Sequence, residues 1–169
     1  MSWVDAYKDL IPDWAKDIRP NLDSTVNRSS LDQVDAHAVA LAAAFATGNK
    51  SLVAAIRADF TNEPEHAAAL TAAALMGMNN VWYPYVDMAG DDELKTQRPE
   101  LRMNAYATYG GVSREKFEMY ALAASIVGKC HFCIGSHYKL LKEHSITVTQ
   151  LRDIGRIDAV INSVSQITA

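Results

Sequence analysis

Cysteine is scarce in this chain: only two occur in 169 residues, both within Lys129-Cys130-His131-Phe132-Cys133-Ile134-Gly135-Ser136-His137. Two thiols cannot build the disulfide framework of a small secreted domain, and a chain this long can bury a core without one. Blocks of lysine or arginine are missing too. The 16 basic and 20 acidic residues are mixed along the length, for a net charge of -4, which argues against a nucleic-acid partner. Long apolar runs are lacking; Ala36–Ala46 is too short and too interrupted to cross a bilayer. The N-terminus, Met1-Ser2-Trp3-Val4-Asp5-Ala6, has no basic region leading into an apolar one, so the expected location is the cytoplasm. Its thiol pool disfavours permanent structural disulfides, and a lone CxxC there reads as redox-active or metal-binding.

Alternation of apolar and polar residues is nowhere sustained, so no half-buried strand is expected. Alanine-rich segments at helical spacing dominate, and the chain reads as all-α, one compact helical domain over residues 1–169. A helix is expected over Asp13–Val26, with Trp14, Ile18 and Leu22 on one face and Pro20 as an irregularity. Ser30 is the expected cap of Leu31–Thr47, ended by Gly48-Asn49, and Lys50–Phe60 follows. Glu63-Pro64-Glu65 opens His66–Met76, Gly77 interrupts, and a second piece covers Asn79–Val86. Pro99 is expected to start a short helix through Tyr106. Ser113 caps Arg114–Val127, Gly128 stops it, and a helix from Cys130 to Glu143 carries the motif. Thr147 or Thr149 opens the last helix. Shifted by 51 residues, Pro64–Tyr83 aligns with Glu115–Ile134, a possible repeat of a helical hairpin.

On a helix, positions 130, 133 and 137 share one face, whereas His131 and Phe132 point elsewhere. A free thiol titrates near about 8.5, so neutral pH leaves it largely unreactive without help. Cys130, in the first turn, would gain that help from the helix N-terminus. Cys133 would gain it from His137, one turn on, acting as base. The two routes favour different sulfurs, and spacing leaves both open. Glu118, twelve residues before Cys130, can fold back across the Gly128 corner to orient His137 or take its proton onward. The competing reading makes the cysteines half of a zinc site with His137 as third ligand, but His37, His66 and His144 offer no paired spacing for a fourth. Those three read as structural, His131 as exposed, and Trp3, Trp14, Trp82, Tyr83 and Tyr85 as core and interface packing.

Glu118, eleven further residues, then Cys130-x-x-Cys133-x-x-x-His137 resembles the signature of the alkyl hydroperoxidase D (AhpD) family, in the carboxymuconolactone decarboxylase-like superfamily. Ala15-Lys16-Asp17-Ile18-Arg19-x-Asn21-Leu22, Ser29-Ser30-Leu31-Asp32-Gln33, Met76-Gly77-Met78-Asn79-Asn80-Val81 and Leu101-Arg102-Met103-Asn104 resemble that family's segments in the same order. The resemblance implies an all-α homotrimer that acts as an antioxidant alkyl hydroperoxide reductase with no bound cofactor. Electrons would come from NADH through dihydrolipoamide dehydrogenase and the dihydrolipoyl group of a 2-oxoacid dehydrogenase acyltransferase. The products would be reduced organic hydroperoxides and a regenerated peroxiredoxin, AhpC. By the same resemblance, Cys133 attacks peroxide, passes through a sulfenic acid and forms the mixed disulfide with AhpC. Cys130 is proton donor and resolving thiol, closing a Cys130–Cys133 disulfide, and Glu118 and His137 relay protons. One departure stands out. The family's usual histidine just before the later cysteine is Phe132 here, with histidine at 131, a shift of about 100° around a helix. Two alternatives remain beside this reading: a decarboxylase-type lyase of the same superfamily and a zinc-binding interaction module.

Overall fold

Three alanine-rich helices form the centre, because a methyl side chain lets backbones approach closely. A computed structural model describes all residues 1–169. In chain order the elements are α1 (Trp3–Leu10), a 3-10 turn (Asp13–Ala15), α2 (Ile18–Val26), α3 (Gln33–Thr47), α4 (Lys50–Asp59) and α5 (Glu63–Ala89). Then come α6 (Asp92–Thr96), a 3-10 segment (Asn104–Gly111), α7 (Arg114–Gly128), α8 (His131–Glu143) and α9 (Val148–Ile167). The fold is all-α, as the missing alternation predicts. Helices α3, α5 and α7 pack on one another most extensively, α9 closes over α3, and α2 lies on α9. Ala40, Ala43, Ala69, Ala72, Ala121 and Ala124 are fully buried in that centre, and 35 buried apolar residues form one cluster.

Several local expectations are corrected. Helix α1 adds an element that the sequence pattern does not mark; its Trp3, Val4 and Tyr7 are buried, and Ser2 caps it through the Asp5 N–H at 3.1 Å. The helix expected over Asp13–Val26 divides, leaving Trp14 81% exposed while Leu22 is buried. Pro20 falls in the first turn of α2, where a missing N–H costs no intrahelical bond. Asp32, not Ser30, caps α3, accepting the Val34 N–H at 2.8 Å. Ser30 instead donates its N–H to Asp153 of α9, whose buried carboxylate also holds Arg152 and Arg156. Helix α5 runs unbroken through Gly77, so the helix–glycine–helix echo has no second corner. Pro99 starts no helix; the chain coils only from Asn104. Of the five aromatic residues grouped above, Trp3 alone is core; Tyr85 is 53% exposed and Trp82 and Tyr83 are half-buried. The caps at Ser113 and Thr147 are as expected.

One buried carboxyl group stands outside any hydrogen bond. Asp158 of α9 is 1% exposed and neither carboxyl oxygen has a partner. Burial pushes its carboxyl well above the ordinary carboxylate value, so the folded chain holds it neutral while the unfolded chain ionises it. A raised folded value means full stability below the unfolded value and a loss as pH rises. Asp158→Asn should therefore match the wild type near pH 3 and become the more stable protein above it. The difference should grow by about 1.4 kcal/mol per pH unit until the folded carboxyl ionises. Urea unfolding midpoints measured across pH check this, and parallel curves for the two proteins would refute it.

Candidate functional site

The motif sits where α7 turns into α8. Gly128 is the last residue of α7, and Lys129 (φ 54°) makes the left-handed turn that the sequence assigns to Gly128. The glycine is needed for space, since a Cβ there would run into the side chain of Asn80 on α5. That side chain donates to the Ala124 carbonyl at 3.0 Å and so ties α5 to the end of α7. Beyond the turn, Cys130 is the N-cap of α8, its Sγ accepting the Cys133 N–H at 3.3 Å. A sulfur in the cap position meets unpaired N–H groups and the positive end of the helix, which favours its thiolate.

Cys130 and Cys133 are joined as a disulfide, with Cα atoms 5.3 Å apart, and both are almost fully buried. His137, one turn after Cys133, is 7% exposed and Glu118 1%. His137 Nδ1 lies 2.5 Å from Glu118 Oε2, so α7 does deliver its carboxylate to the imidazole. With Nδ1–H donated to Glu118, Nε2 is the basic atom; it lies 3.2 Å from Met76 Sδ. Neither ring nitrogen bonds a cysteine sulfur in this disulfide form, but His137 and Cys133 line one cavity of about 370 Å³. A cavity of that size has room for water between them.

Tyr106, unmentioned by any motif, completes the group. Its hydroxyl donates to Glu118 Oε1 and stands 3.5 Å from His137 Nδ1. Burial and the Glu118 carboxylate push the phenol far above its ordinary value, so it remains a donor. Burial raises the Glu118 carboxyl, but hydrogen bonds from His137 and Tyr106 outweigh it and hold the group below its ordinary value. Glu118 is thus a buried, ionised carboxylate with each oxygen engaged. Tyr106 lies in an irregular segment, where no periodicity marks a residue as facing the site.

The remaining histidines lie elsewhere. His66 is buried and bonded to the Phe60 carbonyl, His37 donates its Nδ1–H to the Gln33 carbonyl (2.8 Å), and His144 pairs with Glu115 at 3.2 Å. His131 is exposed. No three His, Cys, Asp or Glu side chains converge to hold a metal ion, and His137, the third ligand of the zinc reading, is turned toward Glu118. No helix is long and apolar enough to cross a membrane.

Residues 92–169 match the model of the carboxymuconolactone decarboxylase family. Over almost the whole chain, the sequence is similar to proteins named alkyl hydroperoxide reductase AhpD. That of Maricaulis maris is 37% identical over 169 residues, spanning 98% of this chain and 97% of the relative. Those of Bradyrhizobium sp. (strain BTAi1) and Rhodopseudomonas palustris (strain BisB18) are 39% and 38% identical, each over 96% of this chain and 91% of the relative.

Proposed function

Since the chain belongs to the AhpD family within the carboxymuconolactone decarboxylases, we propose that it is an antioxidant alkyl hydroperoxide reductase working through the Cys130–Cys133 dithiol. The observation that carries this reading is the disulfide set beside an imidazole–carboxylate–phenol group, with Cys133, His137 and Tyr106 lining one cavity and Glu118 bonded behind them. A proton relay of this composition is of no use to a structural disulfide.

The reduced protein passes two electrons to the peroxide. His137 Nε2 takes the Cys133 proton through cavity water, and the thiolate attacks the outer peroxide oxygen. The O–O bond breaks, Cys133 becomes a sulfenic acid, and the alkoxide takes the Cys130 proton to leave as alcohol. The Cys130 thiolate, stabilised by the Cys133 N–H at the start of α8, attacks the Cys133 sulfur. Hydroxide departs with the proton held by His137, so one peroxide and two thiols yield alcohol, water and the disulfide. Glu118 keeps the imidazole in the working tautomer and balances its charge when protonated, while Tyr106 holds the carboxylate in place.

Re-reduction of the disulfide is assigned to a dihydrolipoyl group carried by a 2-oxoacid dehydrogenase acyltransferase and kept reduced by dihydrolipoamide dehydrogenase. The reduced protein then regenerates AhpC through a mixed disulfide at Cys133, resolved by Cys130. The proposal places this in the cytoplasm, with the chain working as a homotrimer and holding no cofactor of its own. A dithiol paired with a relay favours this over the lyase reading, whose chemistry uses no sulfur. The test mixes dihydrolipoamide, this protein, AhpC and an organic hydroperoxide. The expected result is stoichiometric oxidation of the dihydrolipoamide that requires this protein and rises when AhpC is added. Hydroperoxide consumption unaffected by alkylating both thiols would overturn the reading.

A further inference from the structure

Two cavities reach the disulfide from opposite sides. The smaller, about 370 Å³, is lined by Cys133, His137, Ser136 and Tyr106. The larger, about 730 Å³, is lined by Cys130, by Pro84, Val86 and Met88 from the far end of α5, and by the cations Lys95 and Lys129. Only Tyr83 and Phe132 line both. These two rings are stacked, with centroids 4.4 Å apart and planes at 28°, and so form a wall between the cavities. Phe132 is 61% exposed, although it stands between two buried cysteines. An aromatic ring left in water beside the reacting sulfurs is not explained by the core.

Resting on the function proposed above, we propose that the Tyr83–Phe132 wall gives each half-reaction its own entrance. The hydroperoxide enters on the Cys133 side and the dithiol reductant on the Cys130 side. The Cys133 side has what peroxide cleavage needs, a small volume with an imidazole and a phenol in its lining. The Cys130 side has what a dithiol on an alkyl arm needs, about twice the volume, with apolar side chains for the arm and lysines that attract an incoming thiolate. The steps balance. A reductant thiolate in the larger cavity attacks Cys130 Sγ, the Cys130–Cys133 bond breaks, and Cys133 leaves as thiolate into the cavity it shares with His137. The second reductant thiol, as thiolate, attacks the reductant sulfur now bonded to Cys130. Cys130 departs as a thiolate held by the Cys133 N–H, and the reductant leaves as its cyclic disulfide. The two electrons come from the dithiol, and its two protons end on Cys130 and Cys133.

The test measures the half-reactions separately by stopped flow on the full chain: oxidised protein with dihydrolipoamide, and reduced protein with cumene hydroperoxide. Val86→Trp fills the larger cavity and Ser136→Phe the smaller. Val86→Trp should lower the ratio of dithiol rate to hydroperoxide rate about tenfold or more, and Ser136→Phe should raise it by a similar factor. Val148→Trp, on a distant exposed site, should leave the ratio within about twofold. Phe132→Ala opens the wall, so in that background the Ser136→Phe effect should shrink to about threefold or less. Val86→Trp and Ser136→Phe moving the ratio the same way, or leaving it unchanged, would overturn the proposal. A wild type that reduces no hydroperoxide defeats the function reading instead. The dihydrolipoamide arm still tests the Cys130 entrance in that event, since Val86→Trp should slow it and Ser136→Phe should not.

Discussion

Cys133→Ser abolishes hydroperoxide turnover, with a loss on the order of 10³-fold or more, because a serine hydroxyl cannot replace the sulfur nucleophile. Cys130→Ser behaves differently. It reacts once with hydroperoxide and stops, with Cys133 as sulfenic acid and no partner sulfur to expel water. Single-turnover kinetics with a sulfenic-acid trap separates the two. One trapped equivalent is expected in Cys130→Ser and none in Cys133→Ser. Wild-type-like turnover by Cys133→Ser would end the assignment of the nucleophile. Both cysteines are buried, and serine is close in volume, so circular dichroism should show both variants folded.

Glu118→Gln keeps the shape of the relay and removes its charge. The imidazole loses the acceptor that fixes its tautomer and the charge that balances its protonated form, so turnover should fall on the order of 10²–10⁴-fold. The pH dependence of stability carries a second sign. Glu118 lies below its ordinary value of 4.5 in the folded chain. Its stabilising contribution is therefore complete above the unfolded value and is lost as pH falls through the lower folded one. Melting curves of wild type and Glu118→Gln should differ most above pH 4.5 and converge in stronger acid. A gap that widens on acidification would contradict the ionised carboxylate. Equal turnover in both proteins would remove Glu118 from the relay.

The parts of the site legible in the sequence were those fixed by spacing along one helix or across one corner. Cys130, Cys133 and His137 follow from the period of α8, and Glu118 from its distance to the corner. Met76, Asn80, Tyr83 and Tyr106 reach the site by tertiary packing, and no period in the sequence carries that. The fold shows the same division. Capping chemistry at Ser113 and Thr147 is local, so it could be read directly. Gly77 looks like a stop, yet α5 passes through it, because α3 and α7 bury the helix on both flanks and outweigh one residue's preference. Gly128 looks like a turn residue, but Lys129 turns and Gly128 makes room. Ser30 has the chemistry of a cap, but its N–H is drawn to a carboxylate 123 positions away. The short α1 is stabilised by its buried face more than by its own length, which a local pattern registers poorly.

Because α5 is uninterrupted, Met76 against the imidazole, Asn79 and Asn80 behind the sulfur, and Tyr83 at the divide are rungs of one rigid ladder at helical intervals. Their mutual register is fixed by helix geometry and by no loop. Inserting or deleting one residue between 76 and 83 would swing half the rungs about 100° away from the others, stripping the site of its backing while leaving every cysteine, histidine and glutamate in place. Length in that interval is thus as strict a requirement as residue identity, and natural or designed variation should be confined to what each rung presents.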